Sequence, residues 1–151
     1  MLHVALWEPE IPPNTGNVAR LCAATGARLH LVGRLGFRLD DRSLKRAGID
    51  YWHAVDVVRH ITFEDFEQVI APGRVWCVET PWERSYTRAD FTEEDCLLFG
   101  SESKGLPAAV REKYAATLIG IPMPTGAVRS LNLATAAGVV LYEALRQLHD
   151  W

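Results

Sequence analysis

The segment from Gly120 to Ala137 constrains the fold more than any other part of the chain. An apolar run ends there at Pro122 and Pro124, so a buried strand stops and a stiff, extended loop begins. A long helix with apolar residues at helical spacing follows, from Leu131 to Leu148. The junction carries three polar side chains: Arg129, Ser130 and Asn132. Such groups either cap the helix or form a binding site, and this segment alone leaves both open.

Two earlier segments have the same design, in which a strand is followed by a polar loop shaped by glycine or proline. Residues 97–106 read LLFGSESKGL, and residues 8–20 read EPEIPPNTGNVAR. The carboxyl ends of parallel strands share one edge of a sheet, and ligands bind at that edge in open α/β folds. The three loops are therefore predicted to meet and to form one site.

Strands and helices alternate along the chain. Apolar runs predict strands at 3–7, 29–32, 54–58, 75–78, 97–99 and 118–121. Caps, spacing and stop signals predict helices from 15 or 16 to 26, from 41 to 47, from 62 to 70, from near 107, and from 131 to 148. This alternation indicates an α/β fold, with a mostly parallel sheet and helices on both faces. A chain of 151 residues is expected to form one domain, spanning residues 1–151.

Several familiar functions do not fit the sequence. No apolar run approaches the roughly 18 to 20 residues that cross a bilayer, and Glu8 and Glu10 interrupt a signal-peptide pattern. We therefore expect a cytoplasmic protein without a membrane partner. Cys22, Cys77 and Cys96 are predicted to be buried free thiols, and the histidine spacing predicts no metal site. The loop EPEIPPNTGN replaces the glycine pattern of a Rossmann dinucleotide site.

The charge distribution indicates a local anionic partner. The net charge is −3, yet residues 20–46 concentrate cations against only Asp40 and Asp41. These cations are Arg20, Arg28, Arg34, Arg38, Arg42, Lys45 and Arg46. A basic region in an acidic protein predicts contact with nucleic-acid phosphates, although solvated surface charge is the alternative. The five cations from Arg34 to Arg46 are called the basic cluster below.

Three motifs carry a resemblance to a known family. They are N-x-G-N-x-x-R at 14–20, F-G-S-E-x-x-G-L at 99–106, and I-P-M followed by S-L-N-L at 121–133. In this order, and over essentially the whole chain, they resemble the signature motifs of the SpoU branch of SPOUT RNA methyltransferases. The opening E-P-E-I-P-P-N-T-G-N and the run D-D-x-x-L-K-R-A-G-I-D-Y are similar to one subgroup, the tRNA (cytidine/uridine-34) 2′-O-methyltransferases.

The resemblance implies a C-terminal trefoil knot, a homodimer and methyl transfer from S-adenosylmethionine to the tRNA anticodon stem-loop. Arg20 is implied on the acceptor side; because a guanidinium with a pKa above about 12 is a poor base, we expect Arg20 to bind phosphate and orient the hydroxyl. Asn14 and Asn17 are expected to brace this loop or to cap helices, and Glu102 is expected to orient the site or to remain an exposed carboxylate. The implied donor contacts are Val78, Thr80, Gly100, Ile121, Met123, Ser130, Leu131 and Asn132.

Other interpretations remain open at this point. The same chemistry could act on another tRNA or rRNA position, or the chain could be a knotted RNA-binding protein without catalysis. The joint presence of Arg20, Glu102 and Asn132 favours catalysis. Gly100 is expected to let the backbone approach the donor closely. The wide apolar face of the last helix predicts a second copy as partner: Leu131, Leu133, Val139, Val140, Tyr142, Leu145 and Leu148.

Overall fold

Parallel strands form a single sheet at the centre of the structure, a computed structural model that describes residues 1–46, 52–71 and 73–151. The strands are β1 (His3–Trp7), β2 (Arg28–Val32), β3 (Val57–His60), β4 (Val75–Val78), β5 (Cys96–Phe99) and β6 (Leu118–Ile119). The helices are α1 (Pro12–Thr25), α2 (Asp41–Arg46), α3 (Phe63–Ile70), α4 (Ala108–Lys113) and α5 (Leu133–His149). The strand order is β3-β2-β1-β5-β4-β6, and every pairing is parallel. The predicted α/β fold is confirmed.

Alternating side chains divide the strands between two apolar cores, one on each face of the sheet. In β5, Leu97 and Phe99 belong to one core, whereas Cys96 and Leu98 belong to the other. The first core includes residues of α1 and α5, and the second includes residues of α3 and α4. Both faces are therefore covered by helices, and this explains why the strands read as nearly continuous apolar runs.

The ends of α1 and α3 follow the sequence signals with one clear exception. Thr62 caps α3 through a hydrogen bond that its hydroxyl accepts from the Asp65 N–H, and α1 ends at Gly26 with a φ of 77°. The exception is the start of α1, which lies at Pro12 instead of Thr15 or Gly16. Proline suits a first helical turn because its missing N–H would have no partner there.

Two predicted strands and the last predicted helix have different limits in the structure. The predicted strand 54–58 is shifted to Val57–His60, and a short 3-10 helix occupies Trp52–Ala54. The last strand stops at Ile119, and α5 starts at Leu133 because Asn132 caps it. Helix α2 is described to Arg46, and its predicted end at 47 and 48 lies outside the described residues.

Three buried histidines form a chain across the neighbouring strands β1, β2 and β3. Nδ1 of His3 lies 2.9 Å from Nε2 of His30, and Nδ1 of His30 lies 2.8 Å from Nε2 of His60. At the outer end, Nε2 of His3 lies 3.2 Å from a carboxylate oxygen of Glu94. Burial is the largest influence on the central imidazole and lowers the pKa of His30 to about 3. His30 is therefore uncharged at neutral pH.

The cysteines are buried and free, as predicted. Burial raises the pKa values of Cys22 and Cys77 to about 12, so neither thiol is a ready nucleophile. In the part of the chain that the structure describes, no helix is long and apolar enough to cross a membrane. The same residues contain no group of three or more metal-ligating side chains suited to a metal ion.

The apolar face of α5 is largely covered by the chain itself. Leu133, Val140 and Leu145 are buried in the first core, whereas Tyr142 remains 45% exposed. The predicted excess of apolar surface on this helix is therefore much smaller than the sequence indicated. The homodimer and the trefoil knot both stay predictions.

A candidate active site at the carboxyl ends of the strands

A cavity of about 550 Å³ lies at the carboxyl ends of β4 and β5 and beside the segment that follows β6. Its walls also include the glycine loop (residues 100–106) and the first turns of α1 and α5. The strand order reverses between β1 and β5, and open α/β sheets place ligands at such a reversal. The volume falls within the range of about 300 to 1,000 Å³ that is typical of small-molecule sites.

The sequence-predicted residues are distributed unequally around this cavity. Asn14 and Glu102 line it, whereas Asn17 and Arg20 lie exposed on α1 and are not part of its lining. All of the predicted donor contacts line it: Val78, Thr80, Gly100, Ile121, Met123, Ser130, Leu131 and Asn132. The structure thus brings the predicted donor contacts together at one cavity. Arg20 of the same chain does not line that cavity.

Asn132 is both a helix cap and a member of a polar network. Its Oδ1 accepts hydrogen bonds from the backbone N–H groups of Ala134 (2.9 Å) and Thr135 (3.2 Å). Its Nδ2 donates to Oδ1 of Asn14 at 3.0 Å, and Nδ2 of Asn14 donates to Glu102 at 3.2 Å. Asn132 therefore caps α5, one of the two possibilities that the sequence left open, and it also joins the cavity network, whereas its contact with the donor stays a prediction.

Glu102 supplies the acceptor that the start of α1 lacks. The N-cap of α1 is Ile11, which has no side chain able to accept a hydrogen bond. Oε1 of Glu102 accepts from the Glu10 N–H at 2.9 Å, and Oε2 accepts from the Ile11 N–H at 2.8 Å. A carboxylate at a helix N-terminus is favoured by the free N–H groups and by the helix dipole. Glu102 is thus half-buried and bonded to the loop before α1, and its orienting role in the site stays a prediction.

Gly100 is required by its own loop. A Cβ at this position would lie 2.2 Å from the carbonyl carbon of Gly105 and 2.4 Å from the nitrogen of Leu106. The glycine loop folds back on itself here, and Gly105 adopts a positive φ of 67°. Gly100 is therefore required by the packing of the protein backbone, and the close approach to the donor expected there stays a prediction.

Two residues that sequence reasoning missed build one wall of the cavity. Glu79 accepts hydrogen bonds from the backbone N–H groups of Leu106 (2.7 Å) and Thr80 (3.0 Å). Arg111 donates to the carbonyl oxygens of Thr80 (2.8 Å) and Pro81 (3.1 Å). Glu79 thus attaches the end of β4 to the glycine loop, and Arg111 attaches it to α4. The only sequence signal for Glu79 was its place directly after a buried strand.

The basic cluster lies outside the cavity but is connected to it. All five of its side chains are exposed: Arg34, Arg38, Arg42, Lys45 and Arg46. It begins after β2, where the backbone N–H of Arg34 donates to Oε2 of Glu8 at 2.9 Å. Glu8 belongs to the loop between β1 and α1, and the same loop is held by Glu102. The cluster and the cavity therefore share a supporting loop.

The fold and the cavity define an α/β protein with a cavity at a reversal of strand order, where nucleotide-binding enzymes place their ligands. The chain belongs to the SpoU rRNA Methylase family, whose model matches residues 1–142. This confirms the resemblance read from the three motifs.

Relatives with assigned activities cover nearly the whole chain. A protein of Saccharophagus degradans is 46% identical over 149 residues, covering 98% of this chain and 96% of the relative. A protein of Escherichia coli K12 is 44% identical over 149 residues, covering 98% of this chain and 94% of the relative. Both are named tRNA (cytidine(34)-2′-O)-methyltransferase.

Solved structures agree with the fold. A structure described as "Structural insights into the 2-OH methylation of C/U34 on tRNA" superposes with a TM-score of 0.93 at 50% identity, covering 100% of this chain and 98% of that one. The SpoU methyltransferase AviRb from Streptomyces viridochromogenes, in complex with AdoMet, superposes with a TM-score of 0.83 at 28% identity. That match covers 97% of this chain and 60% of AviRb.

Proposed function

We propose that this chain transfers a methyl group from S-adenosylmethionine to the ribose 2′-hydroxyl of nucleotide 34, cytidine or uridine, in tRNA. The observation that carries the proposal is the meeting of the three motif loops at one cavity, in a chain whose relatives are named for this reaction. The proposed donor contacts are the eight lining residues already predicted from the motifs.

The lining suits a molecule with an aromatic end and a charged, polar end. Val78, Ile121, Met123 and Leu131 offer apolar surface for a flat ring. Irregular loop backbone, Thr80 and Ser130 offer hydrogen-bonding groups for the polar remainder. When bound, S-adenosylmethionine supplies a methyl group already activated by its sulfonium. The chain's residues then have to hold this methyl group in line with the attacking 2′-hydroxyl oxygen.

The acceptor side of the site is proposed to need a second copy of the chain. Asn14 and Arg20 are six residues apart on α1, which places them about 9 Å apart along the helix and about 120° apart around it. Asn14 can therefore line the cavity of its own chain while Arg20 points elsewhere. We assign Arg20 to the cavity of the partner in a homodimer, where it binds phosphate and orients the 2′-hydroxyl.

The basic cluster is the proposed contact for the anticodon stem-loop. Its exposed guanidinium and ammonium groups suit phosphate oxygens, and Arg129, exposed at the cavity, suits a phosphate near the target nucleotide. Because the substrate is tRNA, we expect the protein to work in the cytoplasm.

A methyl-transfer assay with defined transcripts tests this proposal. The purified chain is incubated with radiolabelled S-adenosylmethionine and tRNA, and the product is digested and mapped by mass spectrometry. We expect a 2′-O-methyl group at position 34 and none on a transcript that carries a 2′-deoxy nucleotide there. Methylation at another position would support the same chemistry with a different target. Binding of both partners without transfer would support the non-catalytic alternative.

A further inference from the structure

Two glutamates join the proline loop (residues 8–11) to the glycine loop in both directions. Glu102 of the glycine loop accepts hydrogen bonds from the backbone of Glu10 and Ile11. In return, Oε1 of Glu10 accepts from the backbone N–H of Ser103 at 2.9 Å and from its hydroxyl at 2.6 Å. Each loop therefore supplies the carboxylate that satisfies the other loop's free donors.

The Glu10 bonds are those of an ionised carboxylate. The hydrogen bonds from Ser103 lower the pKa of Glu10 below its ordinary value, with a smaller contribution from the charge of Lys104. Charge-assisted hydrogen bonds of this kind are roughly twice as strong as neutral ones. The two loops are therefore held together at neutral pH.

The proline loop is joined equally closely to the start of the basic cluster. Glu8 accepts from the Arg34 N–H, and the Gly36 N–H donates to the Pro9 carbonyl at 3.0 Å. A Cβ at Gly33 would lie 2.7 Å from Cγ of Glu8, so no gap separates these segments. Glu8 itself adopts a φ of 45°, which a residue other than glycine adopts only when its surroundings hold it there.

These contacts form one continuous path from the cavity to the basic cluster. We propose that Glu8 and Glu10 are positioning residues that couple occupancy of the cavity to RNA binding at the basic cluster, an inference that rests on the proposed function. A molecule in the cavity orders the glycine loop. Because Glu10 and the stiff proline loop connect the glycine loop to Arg34, ordering of the glycine loop also holds Arg34 and the residues after it in place. RNA binding then requires less further ordering of these residues.

Coupling of this kind is reciprocal and is measured as a ratio of affinities. The probes are S-adenosylhomocysteine, which fills the cavity without reaction, and the tRNA used in the methyl-transfer assay. The dissociation constant for tRNA is measured with and without saturating S-adenosylhomocysteine, and the reverse titration checks reciprocity. We expect S-adenosylhomocysteine to tighten tRNA binding about 5-fold or more in the unaltered protein.

Variants of Glu10 separate positioning from a merely structural role. Glu10→Ala removes both bonds to Ser103 and is expected to reduce the ratio to below about 2-fold while each ligand still binds alone. Glu10→Gln keeps an acceptor oxygen and should retain most of the ratio. Glu93→Ala removes an exposed glutamate far from this path in the sequence and serves as the matched control. Glu8→Ala breaks the path at its other end and should reduce the ratio as Glu10→Ala does. It therefore tests the path even if Glu10→Ala folds poorly.

The outcomes are distinguishable. If the unaltered protein binds each ligand but S-adenosylhomocysteine leaves its affinity for tRNA unchanged, the coupling is overturned. The proposed function then stays intact. A ratio that survives in both Glu10→Ala and Glu8→Ala overturns the role of these two residues. If the unaltered protein binds neither S-adenosylhomocysteine nor tRNA, the proposed function fails and this inference fails with it.

Discussion

Nδ2 of Asn132 donates a hydrogen bond to Oδ1 of Asn14 at 3.0 Å, although the two residues are 118 positions apart. The bond joins the starts of the first and last helices at the wall of the cavity. Because Asn132 also caps α5, one side chain links the stability of a helix to the geometry of the site.

Substitutions at Asn132 should separate its two roles. Asp is as good an N-cap as Asn, so Asn132→Asp should keep the melting temperature within about 2 °C of the unaltered protein. Asp has no N–H group to donate to Oδ1 of Asn14, however. The affinity for S-adenosylmethionine should therefore fall about 10-fold. Asn132→Ala loses the cap as well, which costs about 1 kcal/mol and about 2 to 4 °C. Calorimetry measures both quantities, and equal melting temperatures with unchanged donor affinity would contradict the assignment.

A β-branched residue at Gly100 should destabilise the whole protein. In Gly100→Val the added carbon meets the backbone of Gly105 and Leu106, which cannot move without refolding the loop. We expect a loss of more than about 3 kcal/mol, beyond the usual cost of overpacking, together with weaker donor binding. Urea unfolding measures the first effect. Gly126→Ala is a useful comparison, because a Cβ there meets nothing within 4 Å and only its positive φ of 67° is strained.

Reversing charges in the basic cluster should change how RNA binding depends on salt. For each phosphate that the protein no longer neutralises, the slope of log affinity against log salt should fall by nearly one unit. The double variant Arg34→Glu, Arg38→Glu should therefore have a flatter slope for tRNA and unchanged affinity for S-adenosylmethionine. Arg88→Glu, an exposed arginine outside the cluster and the cavity, is the control. An unaltered slope in the double variant would mean that the cluster is ordinary solvated surface charge and does not contact phosphates.

A shared site should be rescued by mixing two inactive variants. Arg20→Ala removes the proposed acceptor-side residue, and Ser130→Trp fills the cavity from an exposed position. Each should lose most of its activity alone. After subunit exchange, one of the two composite sites in a mixed dimer contains both intact parts, so up to about a quarter of normal activity should return. Mixed dimers that form, as shown by differently tagged copies, but stay inactive would mean that each chain builds its own site.

The histidine chain should make the protein sensitive to acid. An unfolded histidine has a pKa of about 6.5, whereas the pKa of folded His30 is lowered to about 3. The unfolded chain thus takes up a proton that the folded chain does not, so stability is complete above about pH 6.5 and falls as the pH drops towards 3. The pKa of His60 is lowered as well.

Urea unfolding between pH 7 and pH 5 measures this effect. His30 contributes up to about 1.4 kcal/mol per pH unit below pH 6.5. His30→Leu should be less stable at pH 7 but should lose less stability on acidification than the unaltered protein. His53→Gln, which changes an exposed histidine, should keep the original dependence. Parallel pH curves for the unaltered protein and His30→Leu would exclude His30 as a cause.

The sequence predicted the sheet, both helical layers and the meeting of the motif loops at one cavity, because these depend on apolar periodicity and on recognisable motifs. It could not predict which groups the polar side chains contact. The bonds from Glu102 to the start of α1 join residues about ninety positions apart, and no local pattern reports them. The start of α1 was misplaced for the same reason, since its acceptor comes from a different loop. Glu79 and Arg111 were missed because their hydrogen-bond partners are backbone atoms, which carry no sequence signal.

The position of β1 has a consequence for synthesis on the ribosome. His3 lies opposite Arg28 on one side and opposite Cys96 on the other, so β1 receives its second neighbour only after β5 has been made. Until then a nascent chain holds half a sheet with an apolar, unpaired edge, which is the kind of surface that chaperones bind. Most of the residues that line the cavity are made later still, from the glycine loop to α5. A molecule that binds in this cavity can therefore stabilise only a nearly complete chain.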